Sequence, residues 1–214
     1  TGHHETTFLV MNQIFELNLE GKHVLDIGSG TGVLSILASK LGAKVFLISG
    51  PTNQKLSDSS IDLTLITSSD EMYEKVIAKY NSTDVVIMSA AVADFKPKII
   101  SINKIKKSNQ SLSIEVENTK DILSYLGEHK NNQLLIGFAL ETENEIENAK
   151  LKLKNKNLDL IVLNSLNDEG AGFGVDTNKI TIISKGNKSI NFPLKDKKSV
   201  SLDIVNNIIE LINE

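Results

Sequence analysis

Asp94 is the residue whose type and setting point most directly to chemistry in this sequence of 214 residues. Val85, Val86, Ile87 and Met88 precede it as a continuous apolar run, the pattern of a strand buried on both faces of a parallel sheet. Ser89, Ala90, Ala91 and Ala93 follow. They are small enough for a ligand to approach the backbone at the carboxyl edge of the sheet, where open α/β folds bind ligands. A proline-containing segment then leads to Lys104, Lys106 and Lys107. A carboxylate at a strand end with lysines clustered beyond it suits a polyphosphate and its metal ion. The same lysines on an exposed edge would equally serve to discourage pairing with another chain.

A second candidate is the turn Asp26-Ile27-Gly28-Ser29-Gly30-Thr31-Gly32. Its glycines permit positive φ and close approach of a ligand, and the helix that follows offers backbone N–H groups to polar or anionic atoms. A tight strand-to-helix turn needs the same residues without any ligand. His3 and His4 have no third metal ligand beside them, so the segment reads as a helix entry and no protein-held metal site is expected.

Apolar runs and helical spacings supply the elements that must position these groups. Strands are predicted at 21–27, 44–49, 61–66, 84–88, 134–140 and 158–163, with a strand at 111–116 returning from the lysine-bearing flap. Helices are predicted at 33–41, 121–128, 143–155 and 200–212. A further helix buries Met72, Val76, Ile77 and Tyr80 and starts from the capping box Ser68-x-x-Glu71. Residues 179–184 and 189–192 form a hairpin around Lys185-Gly186-Asn187. Strands separated by helices predict an α/β fold: one Rossmann-like three-layer sandwich over 1–214, with a mostly parallel sheet, a flap and a C-terminal β-hairpin.

Composition sets bounds. At 40% hydrophobic and 23% charged the chain is globular and long enough for a sizeable core. A net charge of -4 argues against general nucleic-acid binding. The absence of cysteine removes disulfides, thiolate metal sites and a Cys nucleophile, and it fits a cytoplasmic setting. No apolar stretch is long enough to suggest a membrane span or a signal peptide.

Ala90-Ala91-Val92-Ala93-Asp94-Phe95 followed by Lys104-Ile105-Lys106-Lys107 resembles the phosphopantothenate–cysteine ligase family of coenzyme A biosynthesis. Four later segments agree in order: Asp121-Ile122-Leu123, G-F-A-L-E-T at 137–142, K-N-L-D-L-I-V-L-N at 156–164, and A-G-F-G-V-D-T-N-K at 171–179. The resemblance covers roughly 43–214. It implies that CTP, with Mg²⁺, converts the carboxylate of 4'-phosphopantothenate to an acyl-cytidylate, from which the amine of cysteine displaces CMP. It further implies that Asp94 binds the nucleotide with Ala91 beside it, and that Lys104 sits in a flap closing over the reacting groups. Asp121 and Ile122 lie by the nucleotide, Phe138 packs near the cytosine, Lys152 and Lys156 contact the nucleotide, and Asn164 stands at the same strand edge. Read without the family, Phe138 is equally a core residue, and Lys152 and Lys156 are equally a solvated helix face. The resemblance also implies a homodimer in which the apolar flap residues Ile99, Ile100, Ile102 and Ile105 meet the partner. Members are often fused to a flavin-dependent decarboxylase domain, which is not expected within these residues.

Residues 1–43 differ. T-G-H-H-E-T-T at 1–7 and V-L-D-I-G-S-G-T-G at 24–32 resemble ribosomal-protein methyltransferases that use S-adenosylmethionine, in which Thr1 and Gly28 would line the cofactor. At Ala43 the likeness stops. The next strand ends in Ser49-Gly50, where that family needs an acidic residue for the cofactor ribose, whereas S-G-P-T at 49–52 suits the ligase family. A chimeric chain is therefore expected, with 1–43 methyltransferase-like and 44–214 ligase-like. The ligase family's Asn-containing loop is replaced by the Gly-rich turn, so impaired turnover is expected. A methyltransferase-like binder of S-adenosylmethionine and a non-catalytic chimera are the alternatives.

Overall fold

Residues 19–28, 32–52, 58–101, 103–106, 112–165, 177–186 and 188–213 are described by a computed structural model. In chain order the elements are β1 (His23–Ile27), α1 (Val33–Lys40), β2 (Lys44–Ser49), β3 (Asp62–Leu65), α2 (Ser69–Tyr80), β4 (Val85–Met88), β5 (Phe95–Pro97) and β6 (Val116–Asn118). They continue with α3 (Ile122–Glu128), β7 (Leu134–Glu141), α4 (Glu145–Asn155), β8 (Leu160–Ser165), β9 (Thr177–Asn178), β10 (Ile180–Ser184), β11 (Ser189–Asn191), β12 (Lys195–Asp196) and α5 (Lys197–Asn213). The main sheet has eight strands in the order β11-β10-β8-β7-β4-β1-β2-β3. It is parallel from β8 to β3, and the C-terminal hairpin adds the antiparallel edge.

Both faces of the sheet are covered, which is why its strands read as apolar runs rather than alternations. On one face Leu34 and Leu37 of α1 and Ile204, Val205 and Ile208 of α5 pack with Val24, Val45, Ile87 and Val162. On the other face Met72 and Val76 of α2, Ile122 and Leu126 of α3, and Ala149 and Leu153 of α4 pack with Leu25, Ile48, Val86 and Ile161. The result is the expected three-layer α/β sandwich. None of the described helices is long and apolar enough to cross a membrane.

Local chemistry fixes the ends. Ser68 caps α2 by accepting the Glu71 backbone N–H at 3.2 Å, while the Glu71 carboxylate reaches back to the Thr67 N–H at 2.7 Å, one residue beyond the partner of a standard capping box. The buried pair Lys130–Asp159 ties the starts of β7 and β8. Lys130 Nζ donates to both carboxylate oxygens, at 2.7 and 2.6 Å, and Asp159 Oδ2 also accepts the Leu135 N–H at 2.8 Å. Every strong polar group there has a partner, as burial demands.

One predicted element moves. The return from the flap is a strand not at 111–116 but at Val116–Asn118, where it pairs antiparallel with β5, itself not predicted. Leu112 and Ile114 are exposed and gain nothing from a sheet. Alternation alone suggested a strand, but the partner lies only at Phe95–Pro97 and sets where pairing can occur.

Asp26 is the exception in the core. It is fully buried on β1, accepts a hydrogen bond from Ser35 Oγ at 2.6 Å, and its Oδ1 has no partner. Burial pushes its pKa up to about 6, against the weaker opposing pull of the Ser35 hydrogen bonds. The folded carboxyl therefore keeps its proton to about pH 6 and the unfolded one only to its ordinary 3.8. The folded state is favoured fully below the lower value, and that advantage is lost as pH rises through the upper one. Asp58, Asp70, Glu71, Asp121 and Asp196 are shifted the other way and would mask the effect in a single pH series. Their contributions cancel in a comparison with Asp26→Asn. The unfolding free energy of the parent minus that of Asp26→Asn should fall by about 2 kcal/mol between roughly pH 4 and pH 7. Parallel urea-unfolding profiles for the two proteins would show that Asp26 does not titrate in this range.

Candidate functional site

The chain builds outward from β1 through β2 to β3, then returns to place β4 on the other flank of β1. Such a reversal leaves a crevice at the carboxyl ends of the diverging strands. The two strand ends are tightly joined. Ser89 and Ala90 both donate their backbone N–H to the Ile27 carbonyl, at 3.1 and 2.9 Å. Gly28 follows with φ 72°, and a Cβ there would lie 2.3 Å from Ala90 Cβ and 2.6 Å from its Cα. Only glycine fits this approach.

A cleft of about 410 Å³ opens beside this junction, inside the ~300–1,000 Å³ range of small-molecule sites. Its floor is the end of β4 and β7, with Met88, Ala90 and Phe138; its walls come from the loop carrying Val92 and Asp94 and from the 118–123 segment. The β5–β6 ladder brings those walls together by pairing Phe95 with Asn118. Two bonds lock the join: the Thr119 N–H donates to the Asp94 carbonyl at 2.9 Å, and Thr119 Oγ1 to the Ala93 carbonyl at 2.7 Å.

Asp121 stands at the mouth of α3 as its N-cap, accepting the Ser124 N–H at 3.0 Å. Lys156, just beyond α4, reaches it at 2.9 Å. That reach depends on Gly127, where any Cβ would sit 2.1 Å from the Lys156 carbonyl oxygen, so α3 can lie directly against the end of α4. Partial burial pushes the Asp121 carboxyl up, but the Ser124 N–H and the Lys156 ammonium outweigh it and hold the pKa below the usual carboxylate range.

Five of the expected residues therefore meet in one cleft: Asp94, Asp121, Ile122, Phe138 and Lys156. Phe138 is half-buried, and it both lines the cleft and packs against the α1–α5 core. The remaining four do not line the cleft. Ala91 is exposed just outside it. Lys152 is hydrogen-bonded to Glu141 at 2.5 Å. Asn164 is the next-to-last residue of β8, partly buried, with its Oδ1 unpartnered. Lys104 is exposed on the flap. Lys107, Ile102, the first 18 residues and the loop glycines Gly170, Gly172 and Gly174 lie outside the described residues. Among the described residues no three His, Cys, Asp or Glu converge as a metal site. Thr119 and Lys120 are cleft residues that sequence reasoning missed. Their adjacency to Asp121-Ile122-Leu123 was the available signal, but the contact of Thr119 with the backbone of Ala93 and Asp94 arises only through the long-range ladder.

Comparison with known proteins gives two family matches that overlap over residues 28–49. The family described as DNA/pantothenate metabolism flavoprotein C-terminal domain matches residues 28–212. The ribosomal protein L11 methyltransferase (PrmA) family matches residues 1–49. The chain is 46% identical over 181 residues to a cysteine/cysteine sulfinic acid decarboxylase of an unknown prokaryotic organism, covering 84% of this chain and 50% of that protein. It is 42% identical over 178 residues to the coenzyme A biosynthesis bifunctional protein CoaBC of Bacillus subtilis (strain 168), covering 83% of this chain and 44% of that protein. The chain thus spans about half the length of the curated relatives it matches. The crystal structure of the C-terminal domain of a coenzyme A biosynthesis bifunctional protein CoaBC superposes with a TM-score of 0.76 at 34% identity, over 91% of this chain and 97% of that one.

The Gly28–Ala90 approach can be tested against a glycine with the same backbone and open space. Gly21 has φ 74° and nothing within 4 Å of where a Cβ would stand, so Gly21→Ala should cost only the left-handed penalty, about 1 kcal/mol. Gly28→Ala adds a backbone overlap and should cost at least about 2 kcal/mol more by urea unfolding. Equal losses for the two variants would mean that the β1–β4 junction has room to spare.

Proposed function

The chain belongs to the DNA/pantothenate metabolism flavoprotein C-terminal domain family, and on that premise we propose that it is a CTP-dependent ligase joining 4'-phosphopantothenate to cysteine in coenzyme A biosynthesis. The observation that carries the reading is the convergence of Asp94, Asp121, Ile122, Phe138 and Lys156 on one cleft from four separated stretches of sequence. A carboxylate is a poor electrophile until it bears a good leaving group. In the proposed reaction an oxygen of the 4'-phosphopantothenate carboxylate attacks the α-phosphorus of CTP and pyrophosphate leaves. The cysteine amine then attacks the acyl carbon, CMP departs, and the amide remains.

The residues divide this work by position. The half-buried Phe138 offers the cleft an aromatic face for the base. Asp94, on the opposite wall, is the carboxylate turned to the nucleotide. Lys156 holds Asp121, and Asp121 in turn sets the start of α3 at the mouth of the cleft. Lys104, exposed on the flap outside the cleft, is assigned to the reacting groups through closure of the flap over them. Mg²⁺ fits only as a companion of the triphosphate, since Asp94 is the cleft carboxylate not already tied to a lysine and the described residues form no three-ligand cluster. We assign the reaction to the cytoplasm, with small molecules rather than nucleic acid or membrane as partners.

We further propose that residues 1–43 replace the family's own first unit. Losing one preorganised donor to a developing oxyanion typically costs ~10² to 10³ in rate. CMP release with CTP, 4'-phosphopantothenate and cysteine should accordingly run at least roughly 10²-fold below an intact relative, and rise when that relative's Asn-containing loop is grafted between Ile27 and Val33. Thermal stabilisation should be larger with CTP than with ATP or S-adenosylmethionine. A larger shift with S-adenosylmethionine would overturn the ligase reading.

The flap supports a second copy of the chain as partner. Ile99 and Ile100 are 80% and 83% exposed, with Ile105, Leu112 and Ile114 exposed nearby, too much apolar surface to leave in water. We expect light scattering to give a dimer mass and Ile99→Glu with Ile100→Glu to give a monomer; an unaltered monomer for the parent chain at high concentration would exclude this interface.

A further inference from the structure

Resting on the nucleotide reading of the cleft, we infer that Lys120, immediately before Asp121, is the residue that receives the phosphates in the resting arrangement of the site. Of the lysines expected to meet the nucleotide, Lys104 and Lys106 stand exposed on the flap outside the cleft lining, and Lys152 and Lys156 are each held by a carboxylate. Lys156 is bound to Asp121 at 2.9 Å, and Lys152 to Glu141 at 2.5 Å. Lys120 lines the same cleft, is exposed, and forms no carboxylate ion pair among the described residues. Asp70 feels its charge but is hydrogen-bonded to Lys96 at 2.5 Å.

Its placement is built rather than incidental. Thr119 pins the backbone on one side through its two bonds to Ala93 and Asp94, and Asp121 pins it on the other as the α3 cap. The Lys120 ammonium rests 4.3 Å above the Tyr73 ring, which is itself held edge-on against Tyr125 at 5.3 Å. An aromatic face supports a cation without neutralising it, so the charge stays available to an anion. A lysine bound to a carboxylate must first give up that partner, whereas Lys120 can meet a phosphate by leaving only the ring. Lys156 is then a positioning residue that acts through Asp121.

The experiment is calorimetric titration of the full chain with CTP and with inorganic tripolyphosphate, comparing the parent with Lys120→Met and Lys120→Arg. Methionine keeps an unbranched stem over Tyr73 and removes the charge. Lys120→Met should weaken both ligands about tenfold or more and reduce the ionic-strength dependence of binding, while Lys120→Arg restores both. A change in packing alone would not move the salt dependence. If the parent binds CTP and Lys120→Met binds it equally well at every salt concentration, the role of Lys120 is refuted and the nucleotide reading stands. If tripolyphosphate binds in a Lys120-dependent way but CTP gains nothing over it, the anion site is real and the nucleotide reading falls. Failure of the parent to bind either ligand would overturn both.

Discussion

The pairing of β1 with β4 is the contact on which the site depends. These strands are far apart in sequence, yet they lie side by side at the centre of the sheet, and their ends are joined through the Ile27 carbonyl. The joint is close enough that Gly28 and Ala90 exclude any side chain between them. Because β2 and β3 lie on one side of β1 and β4 and β7 on the other, the crevice opens at this reversal. Asp94 reaches it only because β4 ends there, and the 118–123 wall reaches it only because β6 finds β5.

Electrostatics within the cleft follows from which lysines already have partners. Lys152 and Lys156 sit near the C-terminal end of α4, where positive charge suits the helix dipole, and both are paired with acidic groups of neighbouring elements. Lys120 is set against an aromatic face instead. A phosphate-binding role depends less on the number of lysines nearby than on which of them can change partners at low cost.

The amino-terminal unit shows how little the fold demands of it. Val24, Leu25 and Ile27 on β1 and Leu34, Leu37 and Ala38 on α1 are all buried, and they fill the space that any strand and helix of this pattern would fill. Two families match overlapping residues here, 28–212 and 1–49, across the turn, helix and strand that such folds share. The unit still brings its own chemistry inside. Asp26 is a carboxyl in an apolar core with a single side-chain donor, Ser35, and an oxygen left unpartnered. A core accepts a change of apolar sequence readily, but a polar group within it is destabilising unless its hydrogen bonds are met.

Apolar runs bounded by turn residues determined the strands and helices, because burial on both faces leaves a continuous signal along the chain. The three-layer architecture, the α2 cap and the five residues that meet in the cleft were legible for that reason or through motif likeness. Ligand-facing geometry was not. Nothing local to Lys120 says that Tyr73 lies beneath it, and nothing local to Lys152 or Lys156 says that Glu141 and Asp121 hold them. The position of the flap's return strand escaped for the same cause, since a three-residue strand exists only where its partner is. Charge pairing, edge strands and the fit of Gly28 against Ala90 are decided by atoms distant in sequence, and so by the tertiary structure alone.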